Sequence, residues 1–190
     1  PQVAEFSSLL RGEKLAKQDI PAAKVPVRIM LQNAILGYRE GFVNLDEVVS
    51  RYLVHDVLLG HSEVLDITGI TDEELARTAQ RAHQLRKDGK ITGDVLMAVG
   101  ETSADRDAGR SQEVVVAQVK NRLRGLSAEE VAHTVIPYEP RWAIGTGVKP
   151  TSVQIQEMHR DIRNVVKEVW NTEASERVRI IYGGSVDLQN

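Results

Sequence analysis

Thr134-Val135-Ile136-Pro137-Tyr138, followed at once by Glu139-Pro140, is the stretch that decides how this chain folds. It is short, apolar and closed by an acid and a proline, which is the pattern of a buried strand that stops abruptly. Beyond the next loop, Thr151 and Gln154 form a capping box: the Thr hydroxyl can cap the first helical turn while the Gln side chain reaches back. Ile155, Met158, Ile162, Val165 and Val169 then trace one helical face. Val178 to Tyr182 reads as another buried strand, closed by Gly183-Gly184-Ser185.

The same alternation continues outward. Val27 to Leu31, Val54 to Leu59 and Val95 to Val99 read as further buried strands. Thr71 and Glu74 form a second capping box, with Leu75, Ala79, Ala82 and Leu85 at helical spacing behind it. Val116, Val119 and Leu123 recur in the same way after Arg110. Val3 to Leu15 is also expected to be helical, with Phe6, Leu9 and Leu10 on one side. Strands that are nearly continuous in apolar residues, each followed by an amphipathic helix, mean an α/β fold with a parallel sheet covered on its faces. Two parallel architectures fit, an open doubly wound sheet and a closed (β/α) barrel. Periodicity does not separate them, although the first strand lacks a Gly-rich dinucleotide fingerprint. No linker or low-complexity segment interrupts the pattern, so residues 1–190 are expected to form a single domain.

Composition narrows the function. Of 190 residues, 42% are hydrophobic but only 4% aromatic, so the core rests on aliphatic side chains. The net charge is −3 with both signs interspersed, which leaves no basic stripe for a nucleic-acid backbone. There is no cysteine, hence no disulfide framework and no thiolate metal site, as suits a reducing cytosol. No apolar run approaches the roughly 20 residues of a membrane helix, and no basic-plus-apolar signal segment stands at the opening, where Pro1 is not a methionine. A cytoplasmic protein without nucleic-acid or membrane partners is expected.

Polar residues and glycines gather just past the strand ends: Gln32-Asn33, Gly60-His61-Ser62-Glu63, Gly100-Glu101-Thr102, Glu139-Pro140 and Gly183-Gly184-Ser185. Carboxyl ends of parallel strands are where such folds hold their active sites, so these clusters point to one shared rim. Taken alone, Glu139 would read as a surface acid before a proline turn, His61 as a partly buried structural histidine, and Gly183-Gly184 as a plain turn.

Their company changes that. Tyr138-Glu139-Pro140-Arg141-Trp142-Ala143-Ile144-Gly145-Thr146-Gly147 resembles the catalytic lid of the triosephosphate isomerase family. Ile180 to Val186, with Tyr182-Gly183-Gly184-Ser185 at its centre, resembles that family's phosphate-binding turn. Leu58-Leu59-Gly60-His61-Ser62-Glu63 resembles its catalytic histidine segment, and Val99-Gly100-Glu101-Thr102 its next strand end. The resemblance is firm from about Leu53 to Asn190 and weaker from Pro1 to Tyr52, where Gln32-Asn33 and Gly41-Phe42 align.

The resemblance implies a TIM (β/α)8 barrel, incomplete in the chain as given, and interconversion of dihydroxyacetone phosphate and glyceraldehyde 3-phosphate without metal or organic cofactor. Glu139 would be the base and His61 the electrophile. That pairing of a glutamate with a neutral imidazole is the known chemistry of the family and is not read from this sequence. Gly145, Gly184 and Ser185 would give donors to the substrate phosphate. Pro140, Trp142, Ala143, Ile144, Thr146 and Gly147 would form the lid, with Trp142 anchoring it. Ser62 and Glu63 would support the histidine, although Glu63 fits a surface ion pair equally well. Glu101 would gather donors at its strand end. His55, His83, His133 and His159 lack such context and are expected to be structural or surface residues. A homodimer is also implied.

Several residues depart from the family pattern. Aligned on its motifs, the chain begins near the second family helix and stops just after the seventh strand, while family members run to about 250 residues. No lysine matches the family's catalytic one. Val64 stands where the family has Arg, and Leu45 near the acid that pairs with it, so both halves of one ion pair are replaced together. Val43 stands where a Thr reaches the neighbouring subunit, Arg141 where Val is usual in the lid's leading hinge, Val148 ahead of Lys149, and Ala98 for a common Cys. Two other readings follow: a diverged isomerase of a longer ketose phosphate, and a non-catalytic barrel remnant that binds phosphorylated ligands.

Overall fold

The fold is known from a computed structural model, which describes residues 27–29, 45–46, 54–62, 65–66 and 69–184. Among these, the strands are β1 (Val27–Ile29), β2 (Val54–Leu59), β3 (Val95–Met97), β4 (Thr134–Tyr138) and β5 (Arg179–Tyr182). The helices are α1 (Asp72–Lys87), α2 (Ser103–Asp107), α3 (Ser111–Arg122), α4 (Ala128–Ala132), α5 (Ser152–Val169) and α6 (Thr172–Arg177). The expected helix from Val3 to Leu15 and the strand end Gln32-Asn33 lie outside the described residues.

All four strand pairings are parallel, and the order is β1-β2-β3-β4-β5. A doubly wound sheet reverses its strand order at a switch point, whereas a (β/α) barrel adds each strand beside the last. The unbroken order therefore resolves the choice that periodicity left open, in favour of the barrel arrangement. It also puts the carboxyl ends of β2, β3, β4 and β5 on one side of the sheet.

Burial explains why the strands are apolar throughout. All five residues of β4 are buried, with no in–out alternation, because helices cover one face and the barrel interior the other. Val54, Val57, Leu59, Val95, Met97, Ile136 and Tyr138 form the sheet's share of one core cluster. Leu75, Ala79 and Ala82 of α1 and Ile162 of α5 meet it from the helical layer. Each such Val, Leu, Ile or Met side chain contributes about 1.5–3 kcal/mol when buried, more than the roughly 1 kcal/mol of a helix cap. Packing therefore holds the helices, and the caps at Thr71 and Thr151, both present with reciprocal bonds, fix where they begin.

Three sequence expectations need correction. Val169 does not belong to the buried face of α5: it is 47% exposed, and Val166 is buried instead. It is the last helical residue, and Trp170 behind it packs on the core while its Nε1 donates to the Leu126 carbonyl at 2.9 Å. In α3 the buried line runs through Val115, Val119 and Arg122, leaving Val116 at its margin. β5 is not a fully buried strand: Arg179 and Ile181 are exposed, since among the described strands only β4 flanks it.

Candidate active site

Glu139 follows the last residue of β4. Its backbone N–H donates to the Val99 carbonyl at 2.7 Å, which fixes it at the shared rim. Gly100 lies against its main chain, and Gly183 against its side chain: a methyl group on Gly183 would fall 2.8 Å from Glu139 Cγ. The main-chain N–H of Gly183 donates to the Tyr138 carbonyl at 2.8 Å and holds β5 in that position. The carboxylate is buried and reaches across to β2, where its Oε2 lies 2.6 Å from His61 Nδ1. Gly60, with φ +76, makes the turn that presents His61.

A carboxylate oxygen accepts, so the tautomer that makes this contact is the one with a proton on Nδ1. A base and an N–H donor thus face one another across the rim, 78 residues apart in sequence. A molecule reacting between them would take over the N–H that Glu139 now accepts, and the two side chains would have to part to admit it.

Glu101, four residues past the end of β3, is the anchor behind them. It is 2% exposed, and its Oε1 accepts from Tyr138 Oη at 3.1 Å and Trp142 Nε1 at 2.7 Å. Its other oxygen is buried with no partner among the described residues. Burial, reinforced by the Glu101 charge, pushes the Tyr138 phenol well above its ordinary range, so it stays a donor. The Arg106 guanidinium stacks on the Trp142 ring at 3.5 Å, an attraction of about 0.5–2 kcal/mol. Trp142 thereby anchors the loop by hydrogen bond and cation–π contact as well as by packing.

From this anchor the loop runs outward. Arg141 to Ala143 form a single 3₁₀ turn after Pro140. The Arg141 N–H donates to the Glu101 carbonyl at 3.0 Å, and its side chain pairs with Asp66. Trp142 and Ala143 are buried and Ile144 half-buried, whereas Gly145, Thr146, Gly147, Val148 and Lys149 are exposed. Thr146 Oγ1 donates to the Trp142 carbonyl at 2.8 Å, and Gly145 and Gly147 turn the chain at φ +68 and +75.

The structure therefore brings His61, Glu139 and Gly183 into contact, with buried Ser62 beside the histidine. It leaves Gly145 on the exposed tip, and Gly184 exposed beside the Tyr182 ring. Glu63, Val64 and Ser185 lie outside the described residues. Leu45 is buried in the core cluster, where an unpaired carboxylate would be strongly disfavoured.

One residue escaped the sequence analysis. Arg122 is 4% exposed beneath the His61 turn, donating to the Ala98 carbonyl at 2.7 Å and to Asp72 at 2.8 Å. Burial lowers its pKa while Asp72 opposes that shift. Its signal was available: an arginine on the same helical line as Val115 and Val119. The other histidines differ in setting. His83 is buried against Thr134, His159 packs edge-on to Tyr138, and His55 and His133 reach solvent.

Parallel strands in sequential order, with an acid and a histidine converging at their carboxyl ends, define a (β/α)-barrel protein with a polar site at that rim. The comparisons agree. A family model described as triosephosphate isomerase matches residues 44–190. The triosephosphate isomerase of Lactobacillus delbrueckii subsp. bulgaricus is 42% identical over 137 residues, covering 72% of this chain and 52% of the relative. That of Geobacter metallireducens is 43% identical over 136 residues, covering 70% and 51%, and that of Chloroherpeton thalassium 42% over 134, covering 70% and 51%. The chain belongs to the triosephosphate isomerase family. It spans about half the length of the curated relatives it matches.

Proposed function

We propose that this chain carries the base, the electrophile and the lid of a triosephosphate isomerase. The observation that supports this most is the 2.6 Å contact between His61 Nδ1 and Glu139 Oε2 at the rim of a parallel sheet. When dihydroxyacetone phosphate parts the pair, the carboxylate removes a proton from C1. The C–H electrons form the enediolate double bond, and the His61 N–H stabilises the oxygen that gains charge. The C1 hydroxyl proton passes to the C2 oxygen by way of the His61 ring, the carboxyl group returns its proton to C2, and the C=C electrons are released into the new C2–H bond as C1=O forms, giving glyceraldehyde 3-phosphate. No atom is gained or lost, and the chemistry needs only side chains.

Closure of this family's lid is a known case of gating that excludes water. Here Pro140, Trp142, Ala143, Ile144, Thr146 and Gly147 would provide it, with Gly145, Gly184 and Ser185 donating to the phosphate. Backbone N–H groups suit a dianion, and glycine lets the main chain approach it closely. Ser62 and Glu63 would orient the histidine. Residues 1–190 acting as one barrel domain, a homodimer and a cytoplasmic setting belong to the same proposal.

The test is isomerase turnover of triose phosphate by the protein expressed from its gene. Glu139→Gln keeps the shape and removes the base, and is expected to lower kcat by at least about three powers of ten. Wild-type turnover that survives this change would sink the assignment. Turnover of a longer ketose phosphate in preference to triose would move it to a diverged isomerase. Phosphate binding with no turnover would leave a binding remnant.

A further inference from the structure

We propose that Arg141 is a positioning residue, and that its ion pair with Asp66 is a strap fastening the lid's leading hinge to the segment that carries His61. Arg141 lies two positions after Glu139, and Asp66 five after His61. Their contact therefore joins the stretches that present the base and the electrophile. The inference rests on the lid reading above and names the control of its motion.

The hinge is otherwise tied toward β3, through the Arg141 N–H and the Trp142 indole to Glu101. The strap adds a second direction, toward β2. It holds the turn in a conformation whose tip, from Gly145 to Lys149, stands exposed. Arg141 is 25% exposed and Asp66 64%. An ion pair in such a setting adds little to global stability and is screened by salt. A lid equilibrium needs no more than that, because its two states differ by a small free energy and a few-fold bias shifts their populations. The strap thus favours the open resting form, and closure over a ligand must release it.

The chain has two tryptophans, so Trp170→Phe leaves Trp142, 8% exposed, as the one tryptophan, excited apart from the tyrosines at the red edge of absorption. In that background, acrylamide quenching of Trp142 is expected to rise about three-fold in Arg141→Met and in Asp66→Asn, because a released hinge leaves the position in which the indole is held on Glu101 more often in the absence of ligand. Arg141→Lys should restore most of the protection. The double variant should add nothing beyond either single one, since both remove the same contact. Without any substitution at the strap, raising salt from 0.05 to about 0.5 M should produce the same rise. In turnover assays Arg141→Met should lower KM about three-fold and leave kcat within about two-fold, a split that a merely structural role would not give.

Quenching indifferent to salt and to both single variants would overturn the strap, as would additive effects in the double variant. The quenching arms do not depend on turnover. Their success beside an inactive protein would keep the strap and defeat the isomerase assignment. Their failure beside an active protein would do the reverse.

Discussion

The α-carbon of Gly100 lies so close to the main chain of Glu139 that a β-carbon on it would stand 2.5 Å from the Glu139 carbonyl carbon. The opposing group is backbone held by a 2.7 Å hydrogen bond to Val99, so it cannot swing aside. Gly100→Ala is expected to destabilise by at least about 2 kcal/mol, lowering Tm by roughly 5 °C or more. Thermal unfolding checks this. An unchanged Tm would mean that β3 and β4 are not packed as described.

Gly183 bears on the side chain of the same residue. Gly183→Ala would press on Cγ and turn the carboxylate away from the position it now holds. The expected result is a kcat lower by about 10- to 100-fold, with KM within about three-fold and Tm nearly constant, because misplacing a base by a fraction of an ångström acts on the chemical step. Steady-state kinetics decide. A change in KM alone would show that Gly183 serves binding rather than the base.

Glu101 has one doubly used oxygen and one with no partner among the described residues. Glu101→Gln keeps an acceptor for Tyr138 and Trp142, and should stay within about 1 kcal/mol of the parent in urea unfolding. Glu101→Leu leaves two buried donors unpaired and should cost about 2–4 kcal/mol. Equal losses in both variants would show that the negative charge, not the acceptor geometry, holds the anchor.

His83 makes stability depend on pH. Thr134 Oγ1 donates to the Glu130 carbonyl at 2.9 Å and so accepts from His83 Nε2–H, also at 2.9 Å. Burial lowers the His83 pKa from 6.5 to about 4. Between those values the unfolded chain binds a proton that the folded chain refuses. Its contribution is therefore complete above pH 6.5 and is lost as pH falls toward 4. Urea unfolding at pH 7.5 and 5.0 should differ by about 2 kcal/mol, and His83→Gln should remove most of that difference. Glu130 acts lower: burial opposes its ionisation, but Lys87 and Ser127 outweigh that and hold it at about 2, so its share is lost only below about pH 4.5.

Much of this fold was legible because its signals are local. Thr71 and Glu74, or Thr151 and Gln154, specify a helix start within four residues, and both caps form. Ser127 with Glu130 and Thr102 with Asp105 use the same device and went unread, because α4 and α2 are too short to show a period. Glu139 and His61 were legible through their motifs, but their 2.6 Å contact was not, since no spacing in a chain encodes a meeting across three strands. Arg122 shows the same limit: its partners Ala98 and Asp72 belong to other elements. Arg141 could be seen as a departure, but Asp66 could not be foreseen as its partner.

The sequential strand order has a consequence for biogenesis. Each strand pairs with the one made just before it, so a nascent chain can lay down its sheet in the order of synthesis, without waiting for a distant partner. In order of synthesis the His61 turn precedes β3, and β3 precedes Glu139. Only when β4 docks, and Glu139 takes hold of the Val99 carbonyl, does the acid come within reach of the ring. The contact between acid and ring thus needs β2, β3 and β4 side by side, so chemical competence depends on three successive strands being paired.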